Sequence, residues 1–431
     1  MRRKGIGKEW LVSILAMMLV ASVALVGCAP SEVPTPAPPE APTPEFKGEI
    51  VWGLITDFTG PLAPSGKDLT AGDRDAIKYI NEELGGVAGV KIEPVVIDCA
   101  YDVSREVAAF AKLLDVHKAM YVGLISSSSV PALIGKATEK QIVLTGSPEP
   151  AGLFAPNSYF YTPFPMWADM QLGGLDWWVE NEWKGSGSPR VGIASIDAQP
   201  GWSHAKRTRD HCERKGYTYV GEAMHPVAVV EQSAEVATMK RLKPDIILAV
   251  SHDTGHLTWL REWEASGTPG VAQIHHWCLL PESTLKSAGT SAEGVFSYYP
   301  FRMVGFDQDN TGLRLLKEYA RERGWDLPTP LYMMGFTRTL MIAEGMRMAL
   351  EKVGFENLDG AAINDALSQL KGYNCLGLTP DINLSPTEHR GYEYTRLVRI
   401  LPGAKYEPVT DFIPVPPLTP EEKTGEYYKG K

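Results

Sequence analysis

The chain has 431 residues, of which 44% are hydrophobic, 22% charged and 9% aromatic. That balance belongs to a folded globular protein and excludes wholesale disorder, collagen and a many-pass membrane protein. The 42 Lys and Arg against 52 Asp and Glu leave a formal charge of −10, and such a surface lacks the basic footprint that nonspecific nucleic-acid binding requires.

The abnormal composition sits at the start. Arg2, Arg3, Lys4 and Lys8 precede an apolar run over residues 11–26, the pattern of a secretory signal. Sixteen residues fall short of a bilayer-spanning helix. Leu25-Val26-Gly27-Cys28 then resembles the bacterial lipobox, which makes Cys28 the lipidated first residue of the mature protein and 1–27 the signal peptide. Residues 1–27 carry four cations and one acid, so the remainder carries −13. Residues 29–45 hold seven prolines in seventeen positions. At roughly 3.1 Å per residue this polyproline-type spacer reaches about 50 Å. The expectation is a globular body tethered outside the cytoplasm, with residues 28–46 as anchor and linker. Four other cysteines remain, Cys99, Cys212, Cys278 and Cys375. Their three full pairings stay open, and the lack of any CxxC pair argues against structural zinc.

From residue 48 strands and helices alternate. Strands are expected at 48–56, 90–98, 120–125 and 141–146, and helices at 68–84, 104–114 and 131–140. A second run places helices at 166–182, 203–215, 232–242 and 257–265, with strands at 189–197, 218–223, 245–251 and 271–277. Helices at 312–322, 337–353 and 360–370, a strand near 393–401 and a Pro-rich tail follow. Strict alternation means parallel sheets with helices on both faces. Two runs mean two α/β lobes.

Ligands of open parallel sheets sit beyond the carboxyl ends of the strands. That rule selects loops 56–66, 126–129, 145–150, 196–202, 251–256 and 275–278. Loop 126–129 is four serines before a helix opened by Pro131. Hydroxyls at a helix N-terminus suit a carboxylate or another anion, although one of them is needed as the cap. His252, Asp253, His256, His275 and His276 cluster in sequence. Adjacent strand residues such as His275 and His276 point to opposite faces, which opposes a four-ligand metal site. No GxSxG, HExxH, GxGxxG or GxxxxGK[ST] motif occurs. Neither an enzyme activity nor a cofactor is expected.

TDFTGPLAPSG, INEELGGVAGVKIE, YVGLISSSSVPAL and LTPDINLSPTEHRGYEYTRLVRI together resemble the branched-chain amino-acid (Leu/Ile/Val) binding-protein family. These are type I periplasmic solute-binding proteins of ABC importers, and the resemblance covers about residues 47–402. It implies two Rossmann-like lobes joined by three crossovers, with a ligand in a cleft that closes by hinge motion. Lobe one is then 47–163 plus 299–385, lobe two 164–298 plus 386–405, and 406–431 a tail. It implies a permease and ATPase as partners and a membrane reached through the lipid anchor. It places the ligand carboxylate at Ser127, with Ser128 beside it. The next loop carries over as Ser147 and Glu149. Pro200 takes the place of the family's lobe-two aromatic residue, with Trp202 close by to substitute. Trp277 falls where the family holds the α-ammonium with an acid, a role left to Asp253 or Glu149. Trp202, Trp277 and the histidines point away from branched-chain amino acids, toward an amide or an aromatic acid. A sensor of the same fold, signalling to a partner receptor, is the alternative.

Overall fold

The computed structural model of the protein describes residues 45–60, 62–268, 270–325 and 327–424. The signal, Cys28 and most of the spacer lie outside the described residues. In β1 (Gly48–Thr56) the last five residues are all buried, as befits the middle of a sheet covered on both faces. It pairs in parallel with β2 (Val90–Asp98) on one side and β3 (Tyr121–Leu124) on the other. β4 (Val143–Thr145) and β5 (Phe160–Tyr161) complete a five-stranded sheet of order β2-β1-β3-β4-β5. Helices α1 (Ala63–Glu82), α2 (Val103–Asp115) and α3 (Val130–Glu139) connect its strands.

The two faces have separate cores. Ile55, Phe110, Leu113, Val122, Leu133 and Leu144 pack together on one side. Trp52, Leu54, Leu69 and Ile77 pack on the other with residues of a much later helix, α10 (Pro330–Val353). α1 and α10 approach so closely that a Cβ on Gly72 would lie 2.1 Å from the Tyr332 carbonyl oxygen, and one on Gly335 at 2.1 Å from that of Leu69. A buried ion pair fixes the contact. Arg338 donates to Asp73 at 2.8 Å and to the Leu124 carbonyl at 2.7 Å.

The chain then crosses to a second sheet through α4 (Trp167–Asn181). Strands β6 (Arg190–Ile196), β7 (Thr218–His225), β8 (Ile246–Val250), β9 (Ala272–His275) and β10 (Phe296–Tyr298) pair in parallel. Helices α5 (Gln199–Lys215), α6 (Ser233–Leu242), α7 (Asp253–Ala265) and α8 (Glu282–Ala288) lie between them. After β10 the chain returns to the first body with α9 (Thr311–Glu322), α10 and α11 (Gly360–Leu367). It crosses back to add β12 (Leu397–Leu401) and β13 (Lys405–Pro408), both antiparallel, giving the order β13-β12-β10-β9-β8-β6-β7. A short ribbon of β11 (Tyr394–Thr395) and β14 (Ile413–Pro414) closes the second lobe.

Several elements differ from the sequence reading. α1 starts at Ala63 rather than 68, α5 at Gln199 rather than 203, α7 at Asp253 rather than 257 and α10 at Pro330 rather than 337. Three of the four carry proline in the first turn. Proline marks turns in a sequence, yet at a first helical position its missing N–H costs nothing. The segment 406–431, expected to be a tail, contributes to β13 and forms β14. Glu422 reaches further, into a buried network with Arg207, while Asp169 accepts from Arg390 at 2.8 Å. The two large sheets are parallel except for β12 and β13, and the β11–β14 ribbon is antiparallel. The four described cysteines are unpaired and buried. No described helix is long and apolar enough to cross a membrane.

Candidate functional site

The carboxyl ends of both sheets face a narrow cavity of about 30 Å³, which is room for a water or two between the lobes as they stand. The first lobe contributes Leu62 and Ser65 after β1, Tyr101 after β2, Ile125 and Ser127 after β3, and Ser147 after β4. The second contributes Trp167 at the start of α4, Ile196 and Pro200 after β6, Val250, Ser251 and His252 after β8, and His276 and Cys278 after β9. α1, α3, α5 and α7 all begin at these loops, so four helix N-termini converge there. Tight packing sets the loops. A Cβ on Gly66 would lie 2.1 Å from the Asp57 carbonyl oxygen.

The lobes touch across the cavity. The Ser65 hydroxyl donates to Asp253 Oδ2 at 3.3 Å. The Tyr101 and His252 rings meet edge-on, with centroids 5.5 Å apart. On the first lobe Ser147 donates to the Ile125 carbonyl, and Ser126 Oγ accepts from the backbone N–H groups of Ser128 and Ser129 at 3.2 and 3.3 Å. Beneath this loop, burial pushes the Glu106 carboxyl up to about 7, with the Ser129 hydroxyl opposing. It pushes Asp57 up to about 6 against a hydrogen bond from the Tyr101 N–H.

The second lobe presents imidazoles. The Cys278 N–H donates to His276 Nδ1 at 3.2 Å. His275 and His256 share a hydrogen bond between their Nδ1 atoms at 3.0 Å, and His275 Nε2 meets Gln273 Oε1 at 2.9 Å. His225 Nε2 pairs with the Ser251 hydroxyl at 3.1 Å. Burial holds these rings neutral. It pushes His252 and His204 down to about 4 and His275 to about 3, and drives His256 and His276 well below the usual range. Among the described residues no three His, Cys, Asp or Glu converge as a metal-ligand set.

Ser127 and Ser147 line the cavity. Ser128 is set back, with its hydroxyl 3.4 Å from the Tyr101 hydroxyl. Glu149 is fully buried behind the lining. It accepts from the Ala168 N–H at 2.9 Å and the Ser203 hydroxyl at 2.5 Å. Burial raises it to about 8. His204 Nδ1 lies 3.9 Å away, but it is uncharged and makes no ion pair. Asp253 bridges to Ser65, and burial raises it to about 7. Trp202 stands at the surface, 38% exposed, with its indole N–H on Asp197 at 2.7 Å. Trp277 has no exposure and packs behind the wall against Phe164, Tyr298 and Phe301. Sequence reasoning missed Tyr101, Trp167 and Ser65 as lining residues. Tyr101 follows β2 in a loop held at positive φ by Ala100 and Tyr101, and position at a strand's carboxyl end was its only signal. The loops of His252 and His276 were selected, and the histidines were weighed as a group without either being assigned as a ligand contact.

Two lobes of this topology, with a cavity between the carboxyl ends of their sheets, define a type I periplasmic binding protein fold. Residues 49–405 match the model of the family described as periplasmic binding protein, and the chain belongs to that family. Among solved structures, a branched chain amino acid ABC transporter from Thermus thermophilus with bound valine is similar at TM-score 0.75 and 19% identity, over 85% of this chain and 96% of that one. An ABC transporter substrate binding protein of Aeropyrum pernix matches at 0.75 and 19%, over 89% and 99%. A fatty acid ABC transporter substrate-binding protein from Thermomonospora curvata matches at 0.74 and 19%, over 85% and 92%. At such identities the likeness concerns the fold. A comparison with curated proteins finds no match.

Proposed function

We propose that this protein is the solute-receiving subunit of an ABC importer. It is tethered by lipid at Cys28 and binds a small amino-acid-like, amide or aromatic-acid solute between lobes that close on it. The observation that carries this reading is a cavity lined from both lobes at the carboxyl ends of their sheets, with Ser65–Asp253 and Tyr101–His252 bridging across it. Contacts that span two bodies exist only when the bodies are together, so a ligand touching both favours closure. Ser127 and Ser147 are the first-lobe contacts in this proposal. Trp202 lies at the surface and Trp277 behind the wall, where it shapes the site by packing.

A thermal-shift screen of amino acids, amides and aromatic acids tests it. A ligand that binds only the folded state at 100 times its Kd stabilises by about 2.7 kcal/mol, so a genuine solute raises Tm by several degrees. A folded protein that no member of such a panel stabilises contradicts the reading.

A further inference from the structure

The hydrogen-bond pattern of the second-lobe wall narrows the class of solute. In a neutral imidazole one nitrogen carries the proton and the other accepts. His276 Nδ1 accepts from the Cys278 N–H, so its Nε2 carries the proton. That Nε2 is buried and has no acceptor among the described residues. The Trp167 indole N–H, on a ring whose centroid is 4.6 Å from that of His276, is a second buried donor without an acceptor. Both residues line the cavity. Two neighbouring donors that the fold leaves unsatisfied are costly unless something else accepts from them.

The lining is equally informative in what composes it. It contains hydroxyls, neutral rings and apolar side chains, and no Lys, Arg, Asp or Glu. Glu149 lies behind the lining with both oxygens engaged. Asp253 stands outside the lining: its Oδ2 accepts from Ser65, its Oδ1 is buried without a partner among the described residues, and burial raises its carboxyl to about 7, so both forms are present at neutral pH. A buried ammonium without an ionised partner is strongly disfavoured.

We infer that the cleft selects a small solute without an ammonium group, whose carboxylate or carbonyl oxygen accepts from His276 Nε2 and Trp167 Nε1 while the lobes part to seat its apolar body. This rests on the solute-binding reading and goes beyond it, because it separates carboxylic acids and amides from the α-amino acids of the same shape.

Matched pairs test it, measured by calorimetry on the purified protein. The pairs are 3-methylbutanoate against valine, 4-methylpentanoate against leucine and 3-phenylpropanoate against phenylalanine, with 3-methylbutanamide as the neutral carbonyl probe. In at least one pair the desamino acid is expected to bind about 100-fold tighter or better. Trp167→Phe keeps an aromatic ring, smaller than the indole, and removes the donor, and should weaken that ligand about 3- to 10-fold. His276→Phe should weaken it at least as much, and His276→Gln, which retains an N–H donor, should recover part of the loss. An α-amino acid that binds as tightly as its desamino partner overturns the inference and leaves solute binding intact. Unchanged affinity in both Trp167→Phe and His276→Phe overturns the docking point. If neither series binds a folded protein, the solute-binding reading fails and the inference falls with it.

Discussion

On the first lobe's side of the cavity, Ser147 donates to the Ile125 carbonyl and Ser126 accepts from two backbone N–H groups. On the second lobe's side, the Trp167 and His276 donors meet nothing. The serine loops of the first wall are tied to their own chain, with their geometry set before a solute arrives, although beneath them Asp57 Oδ2 and both Glu106 oxygens lack hydrogen-bond partners among the described residues. The second wall is completed only by what it binds. Each keeps formal charge away by different means. Beneath the serine loop, Asp57 and Glu106 are pushed toward the protonated form, whereas the second lobe relies on imidazoles that burial keeps deprotonated.

The strongest way to break this contrast is to remove what backs the second wall. Trp277 is fully buried among Phe164, Tyr298 and Phe301. Trp277→Ala should lower stability by about 3–5 kcal/mol in urea unfolding, and a loss below about 1 kcal/mol would mean the wall is not packed as a core. The charge contrast is tested by pH. His275 has its folded value depressed to about 3. Its contribution is therefore complete above the unfolded value near 6.5 and is lost as pH falls below that. Relative to the parent protein, His275→Gln should gain about 2–3 kcal/mol between pH 6.5 and 4. Glu106 should act with the opposite sign. Its folded value is raised to about 7, so its contribution is full below the ordinary carboxylate range and is lost as pH rises toward 7. Glu106→Gln should thus gain relative stability on raising pH from 4.5 to 7, and parallel pH profiles for both variants would erase the distinction between the walls. The smallest effect belongs to the finished wall. Ser147→Ala leaves the buried Ile125 carbonyl without that partner and should cost about 1 kcal/mol.

Much of the fold was legible because alternation, strand composition and helical spacing are local signals. Strands such as 48–56 and 90–98 were read to the residue. Helix starts were less legible wherever proline opened them, since proline and glycine in TGPLAPSG mark a turn and a first helical turn alike. Short elements such as β5, β10 and β14 carry too few residues to show a period. The resemblance pointed to the right loops. It could not show that Trp277 packs behind the wall, that Trp202 stays at the surface, or that Tyr101 and Trp167 take their places in the lining. Those outcomes depend on how the lobes meet, and no local spacing encodes that.

The Asp73–Arg338 pair joins residues 265 positions apart, and α10 packs closely on α1 at one face of the first sheet. A chain still emerging, with residues 48–161 already available, can form every strand of that sheet and lay α1 on one face and α2 and α3 on the other. The side of α1 that meets α10, where Gly72 lies against Tyr332 and Leu69 against Gly335, stays bare until residue 350 or so arrives. Contacts of such long reach slow folding and leave apolar surface open to wrong partners meanwhile. The molecule is therefore most vulnerable to aggregation between the appearance of its first hundred residues and the arrival of its last hundred.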